Sequence, residues 1–251
     1  MKFTIITPNY NGAEYIEECV KSVARQKVDF EHIIIDGGST DLSLEILKKY
    51  PHLKVISEKD DGMYDAINKG IAFSQGDVIS YINCDDRYPD GSLSKVLTAF
   101  NNDNADYVYG DCRFIDYFEN EIYVYRVPPI FSNLLKKITV VPWAQPSVFY
   151  RRKVFDEIGC FNIKYLYGSD YHFMKRVILS KLNGVRVNKV LSEFMLREGS
   201  LGNRYLLDMM SEGVQIKKDL GILDKPILDF FYNSYRKIYN FHTFINRSKI
   251  I

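Results

Sequence analysis

Over its first hundred residues the chain sets short apolar runs between amphipathic stretches. Phe3–Thr7, Phe30–Ile35, Leu53–Ser57 and Val78–Asn83 are apolar runs of strand length, most of them closed by turn residues. Between them, Ala13–Ala24 places Tyr15, Ile16, Cys19, Val20 and Val23 at helical spacing. Leu42–Tyr50 reads as a helix with Ser39-Thr40-Asp41 offering side-chain caps, and Tyr64–Ala72 as a shorter one. Strands that alternate with helices predict an α/β fold whose sheet is mostly parallel and covered by helices on both faces.

Beyond about residue 107 the pattern changes. Tyr107–Asp111 predicts another strand, and Arg113–Val127 a hairpin or extended region rich in aromatic and charged residues. Pro128-Pro129 and Pro142 punctuate it. Arg151–Ile158, Asp170–Leu179 and Tyr205–Lys218 have helical spacing, and Val185–Val190 is strand-like. After Pro226, Phe230, Phe231, Tyr232, Tyr235, Tyr239, Phe241 and Phe244 fall among Arg236, Lys237, Arg247 and Lys249. Three uses fit this tail: a helix packed on the body, a basic aromatic segment on a membrane surface (226–251), or a subunit contact. The division expected is 1–111, 112–220 and a helical tail 221–251.

The chain's 251 residues suffice for a sizeable core, and 33 basic against 32 acidic residues give no global field toward a nucleic-acid partner. Cys19, Cys84, Cys112 and Cys160 are widely spaced, with no Cys-x-x-Cys pair, which favours reduced thiols over disulfides or a zinc site. The opening run is too short for a signal-peptide core, and no stretch reaches the about 18 to 20 apolar residues of a membrane span. A cytoplasmic protein is expected, soluble or peripheral on the inner face of the membrane.

Candidate chemistry gathers where strands end, as ligand sites in open α/β sheets do. Thr7-Pro8-Asn9-Tyr10-Asn11-Gly12 ends the first strand, with a proline to stop the sheet and Asn and Gly to turn it. Asp36-Gly37-Gly38-Ser39-Thr40-Asp41 ends the second, where an acid can bond the polar edge of a base or ribose. Asp60 through Gly70 opens a helix with acids, and within that helix Asn68 and Lys69 are more than caps, with Lys69 a candidate to face a phosphate. Asn83-Cys84-Asp85-Asp86 closes the fourth strand with adjacent carboxylates that call for a cation or hydrogen bonds. Gly168-Ser169-Asp170 puts an acid in the first turn of a later helix. No Gly-x-Gly-x-x-Gly follows the first strand, and no phosphate-binding Gly-x-x-x-x-Gly-Lys-Ser/Thr occurs.

In order and spacing these five motifs, from Phe3 to Gly202, resemble the family 2 glycosyltransferases. Thr7-Pro8-Asn9-Tyr10-Asn11 is similar to that family's opening turn, and Ile35 through Asp41 to its aspartate-glycine-serine-threonine-aspartate signature. Gly62 through Gly70 is similar to a run in members that build bacterial surface polysaccharides, and Ile82 through Asp86 to the metal-binding acidic motif. Three positions depart from the pattern. Gly37 stands for a second aspartate, Asn83 for the first acid of the metal motif, and Ser169 for a glutamate beside Asp170.

The resemblance implies a GT-A fold, Rossmann-like, with a smaller acceptor-binding part. It implies inverting transfer of a sugar from a nucleoside diphosphate donor, a UDP-sugar first, to a saccharide acceptor, expected to be lipid-linked, in polysaccharide or lipopolysaccharide synthesis. Asp170 would be the catalytic base. Thr7, Pro8, Asn9, Tyr10, Asp36, Asp65, Asn68, Lys69, Asn83, Cys84 and Asp85 would bind the donor, and Asp85 and Asp86 would hold Mn²⁺ or Mg²⁺. Trp143, Gln145, Arg197, Gly199 and Ser200 are candidates for acceptor binding or a lid. A non-catalytic nucleotide-sugar-binding scaffold and a sugar nucleotidyltransferase stay open as alternatives.

Overall fold

The structure, a computed structural model, describes residues 1–130, 132–197 and 205–241. Four parallel strands form one half of an eight-stranded sheet: β1 (Phe3–Asn9), β2 (Phe30–Asp36), β3 (Leu53–Ser57) and β4 (Val78–Tyr81), in the order β3-β2-β1-β4. Three helices make the crossovers: α1 (Ile16–Ala24), α2 (Ser43–Leu47) and α3 (Met63–Phe73). Crossover α3 carries the chain from one edge past β1 to its other side. The strand order therefore reverses between β1 and β4, which opens a crevice at their carboxyl ends.

The sheet continues from β4 through β7 (Val148–Arg151) to β5 (Tyr107–Ile115), both pairings antiparallel. Along β5 run β6 (Glu121–Tyr125), antiparallel, and β8 (Gly184–Met195), parallel. Strands β5 and β8 thus point the same way as β1–β4, and only β6 and β7 are reversed. The boundary expected at 111/112 falls inside β5. The remaining helices are α4 (Ser92–Asn102), α5 (Ser132–Leu135), α6 (Arg152–Ile158), α7 (Ser169–Leu179), α8 (Leu206–Asp219) and α9 (Pro226–Tyr239).

Alternation along the buried strands supplies two cores. Ile6, Ile79 and Tyr81 face Tyr64, Ile67 and Ile71 of α3, with Phe155 of α6 and Phe173 and Val177 of α7 in the same cluster. Phe3, Ile5, Val78 and Ile82 face the other way, toward Cys19 and Val23 of α1 and Leu93, Val96 and Phe100 of α4. Each fully buried aliphatic or aromatic side chain contributes about 1.5–3 kcal/mol of transfer free energy, so both faces are strongly fixed. Helix α4 and strand β7 lie outside the elements expected from the sequence, β8 runs five residues past its expected end, and α2 is shorter than Leu42–Tyr50.

Candidate active site

Strand register builds the floor of the crevice. Pairing of β1 with β2 sets Asn9 opposite Asp36, and pairing of β2 with β3 sets Asp36 opposite Ser57. The row becomes a hydrogen-bonded chain across the sheet. Asn9 Nδ2 donates to Asp36 Oδ1 at 2.8 Å, and Ser57 Oγ donates to Asp36 Oδ2 at 2.7 Å. The Ser39 hydroxyl and the backbone N–H groups of Gly38 and Ser39 add three more donors to the same carboxylate. Asp36 is fully buried. Burial alone would raise its pKa, but these hydrogen bonds outweigh it and hold it below the usual carboxylate value.

The glycines of the two turns give close approach. A Cβ on Gly12 would lie 2.3 Å from Asn9 Oδ1 and 2.9 Å from Cys84 Sγ. One on Gly37 would meet Asp60 Oδ2 at 2.7 Å. In this chain the Asp60 carboxylate, from the loop after β3, thus fills the space beside residue 37 where the resembling family carries an aspartate. Burial raises the Asp60 pKa.

On the other side of β1 the β4 turn carries the acidic motif, and its two aspartates diverge. Asp85 accepts from Arg197 Nε at 2.7 Å, and the guanidinium lies 4.8 Å over the Tyr15 ring. Asp86 turns inward, 1 % exposed, where its carboxylate accepts from the Met195 N–H at 3.1 Å and Asn83 Nδ2 at 3.3 Å. Burial, then the Asp85 charge, pushes its pKa well up. Asp86 ties β4 to β8, which corrects the expectation that it shares a metal with Asp85. Asn83 Oδ1 and Asn9 Oδ1 are buried acceptors with no hydrogen-bond partner, one in each turn flanking the crevice. Burial pushes the Cys84 thiol up to about 12, so it stays protonated.

The third wall is the amino end of α7. Asp170 accepts from the Tyr171 N–H at 2.6 Å, and the Tyr64 hydroxyl of α3, which donates to the Tyr167 carbonyl at 3.4 Å, lies beside it and lowers its pKa. Tyr64 stacks on Phe161, which Tyr81 at the end of β4 meets edge-on at 5.4 Å. Burial in this aromatic setting raises the Asp170 pKa, and the Tyr171 N–H and the Tyr64 hydroxyl only partly offset it. The loop before α7 is gripped by α8: Glu212 accepts from the N–H groups of Leu166, Tyr167 and Gly168 at 2.8, 2.9 and 2.7 Å. The Tyr165 hydroxyl donates to Asp219 of the same helix.

This geometry agrees with what the chain resembles. The profile of Glycosyl transferase family 2 matches residues 4–159. The chain belongs to glycosyl transferase family 2. It is 28% identical over 228 residues to a PGL/p-HBAD biosynthesis glycosyltransferase of Mycobacterium bovis, covering 88% of this chain and 86% of that one. To Glycosyltransferase GlyA of Streptococcus pneumoniae it is 25% identical over 246 residues, 88% of this chain but 35% of that protein. Among solved structures, S. aureus TarS 1-349 superposes with TM-score 0.64 at 20% identity, over 86% of this chain and 65% of that one. The mannosyltransferase PcManGT from Pyrobaculum calidifontis, solved with GDP-Man and Mn²⁺, superposes with TM-score 0.65 at 15% identity, over 98% and 73%. The fold is the GT-A fold of these glycosyltransferases.

Within this family 2 chain, several expected site residues have other work. Thr7 is buried, its hydroxyl on His32 Nε2 at 2.9 Å, and Pro8 is buried in β1, whereas Tyr10 is 67 % exposed at the crevice mouth. Asn68 clamps the Phe161 backbone, donating to its carbonyl at 2.9 Å and accepting from its N–H at 3.0 Å. Lys69 is paired with Glu58 at 3.0 Å and with Asp65 at 3.3 Å. Trp143 is core, stacked on Tyr109 at 4.2 Å with its N–H on Met174 Sδ. Gln145 donates to the Tyr81 carbonyl at 2.9 Å, at the end of β4. Gly199 and Ser200 lie outside the described residues. Glu212 joins the site from structure alone, whereas Asp60 and Tyr64 lie in the motif that opens α3, where the sequence marks no role for either. A cavity of about 270 Å³ between Tyr107, Tyr109, Lys136 and Lys181 opens at the amino ends of β5 and β8, away from this chemistry.

Proposed function

We propose that this chain transfers a sugar from a nucleoside diphosphate donor to a saccharide hydroxyl, with inversion at the anomeric carbon. The observation that carries the reading is the meeting of three walls at the carboxyl ends of the strands: the Asn9–Asp36–Ser57 row, Asp85 with Arg197, and Asp170 in its aromatic setting. A UDP-sugar is the first donor, supported by TarS solved in complex with UDP-GlcNAc at TM-score 0.64, and GDP-mannose is the second, supported by PcManGT. The acceptor we infer is a lipid-linked saccharide of a cell-surface polysaccharide or lipopolysaccharide.

Asp36, saturated by five donors, acts by fixing the turn on which the base and ribose rest. Asp85 and the unpartnered Asn83 Oδ1 are hard oxygen donors that suit Mg²⁺ or Mn²⁺. Among the described residues no group of three or more His, Cys, Asp or Glu stands together, so the donor's phosphates must complete such a site. A divalent ion there would neutralise charge on the departing diphosphate. Arg197 is the chain's own cation at this place and serves the same diphosphate.

Asp170 takes the proton of the acceptor hydroxyl as its oxygen attacks the anomeric carbon. The bond to the diphosphate breaks with its electron pair leaving on phosphate oxygen. Attack from the face opposite the leaving group inverts the centre, and no enzyme nucleophile is needed. A raised pKa suits the role, because a stronger base takes the proton more readily near neutral pH.

The test is release of nucleoside diphosphate from a panel of UDP-, GDP- and dTDP-sugars by wild type and Asp170→Asn. One donor should be turned over, and the variant should lose about 10²- to 10⁴-fold in rate while binding the nucleotide as wild type does. A variant as active as wild type would remove Asp170 from the mechanism, and turnover of none would favour a scaffold.

A further inference from the structure

We propose that the outward face of α9 binds the surface of an anionic lipid bilayer. The helix is fixed to the body by its polar and mixed face. Tyr232 is buried, and Asp229 accepts from the Thr139 N–H at 2.8 Å and its hydroxyl at 2.7 Å. Just past the helix Asn240 accepts from the Arg126 N–H at 2.7 Å and donates to the Arg126 carbonyl at 3.0 Å. Arg236 lies over the Tyr125 ring.

That attachment turns the apolar face to solvent. Ile227, Phe230, Phe231, Ile238 and the following Phe241 fall on one side of a 3.6-residue helix, and each is between 59 % and 73 % exposed. A helix that merely completes a core does the reverse. The tail packs on the body by one face only, and Phe231 and Ile238 share the opposite face, which nothing among the described residues outside the helix covers.

The charges select the occupant. Asp229 is the only acid in α9 and is held inward, while Lys225, just before the helix, and Lys237, in its last turn, are exposed. Across 226–251 the sequence carries Arg236, Lys237, Arg247 and Lys249 against Asp229 alone. A stripe one helix wide, rich in phenylalanine and flanked by lysines, matches the acyl boundary and phosphate layer of an anionic membrane. Among the described residues no helix is long and apolar enough to cross a membrane, so this contact lies along the surface.

The test is co-sedimentation of the full chain with vesicles of phosphatidylcholine alone or mixed with phosphatidylglycerol, with light scattering on the protein by itself. The variants are Phe230→Ser with Phe231→Ser, and Lys237→Glu, each checked for an unchanged unfolding midpoint. Wild type should bind the anionic vesicles about tenfold or more tighter than the double variant. Lys237→Glu or about 0.5 M salt should weaken binding several-fold. Equal sedimentation of wild type and double variant would overturn the proposal. So would a wild-type dimer that the double variant turns into a monomer, which would put a second copy on this face.

Discussion

Asp170 sits where burial raises its pKa and neighbouring polar groups restrain the rise. The neighbouring Tyr64 hydroxyl is one of the groups that hold it down, which gives a prediction with a definite sign. Tyr64→Phe removes a donor that favours the carboxylate, so the Asp170 pKa should climb further. Since the base works deprotonated, the acid limb of kcat/KM should move to higher pH, and a pH–rate profile reads it directly. A limb that stays in place would mean Tyr64 acts only in packing. At this scale the sequence was a partial guide. Asp85 and Asp170 were legible because each follows a strand or opens a helix at the edge where ligands bind. Asp86 was not, because two neighbouring side chains leave the backbone in different directions and only one can face the crevice. Asn68 and Lys69 carried the right chemistry, but their partners, the Phe161 backbone and Glu58, are set by tertiary contacts. Tyr64 lies within the Gly62–Gly70 motif, but the sequence marks no role for it there, since an aromatic on a helix reads as core.

Two elements decide where the base stands. Helix α7 carries Asp170, and α8 holds the loop before it through one carboxylate, Glu212, on three consecutive N–H groups. Glu212→Ala strips those donors of their partner, which costs about 1–3 kcal/mol where they are shielded from water. The expected result is a lower denaturant midpoint, faster amide exchange at residues 166–168 and reduced kcat with a smaller change in donor KM. Unchanged exchange at those amides would show that the loop holds itself. No spacing in the sequence links residues 166–168 to residue 212, which is why this clamp was invisible. The strand–helix alternation of the first hundred residues was legible because each strand is apolar and the intervening helices have one apolar face. Helix α4 has its own stripe, Leu93, Val96, Ala99 and Phe100, which the turn Pro89-Asp90-Gly91 masks in a linear reading. Strand β7 has only four residues, mostly buried, so it offers no alternation to read.

For the molecule as a whole, α/β class and parallel half-sheet followed from local pattern, but the reversed β7 between β4 and β5 did not, because pairing across that distance is a matter of packing. The same packing buries titratable groups. His32, its Nε2 on Thr7, has its pKa lowered by burial to about 3. The unfolded chain takes up a proton near its ordinary pKa of about 6.5 that the folded chain refuses. The penalty is therefore absent above that pH and grows as pH falls toward 3. Asp86 and Asp170, whose pKa values are raised, pull the other way, so the clean comparison is wild type against His32→Gln, where they cancel. The stability of wild type relative to that variant should fall by about 2 kcal/mol or more between pH 7 and pH 4, read by urea titration. A constant difference would mean His32 is charged in the fold.

The central claim is that the crevice at the strand ends is a nucleotide-sugar donor site centred on Asp85. Calorimetric titration with UDP, GDP and dTDP, each with and without Mn²⁺, on wild type and Asp85→Ala tests it most directly. The account predicts that one nucleotide binds, that Mn²⁺ tightens it, and that Asp85→Ala removes the effect of the metal. Binding that is indifferent to both metal and Asp85, or no binding at all, would contradict it.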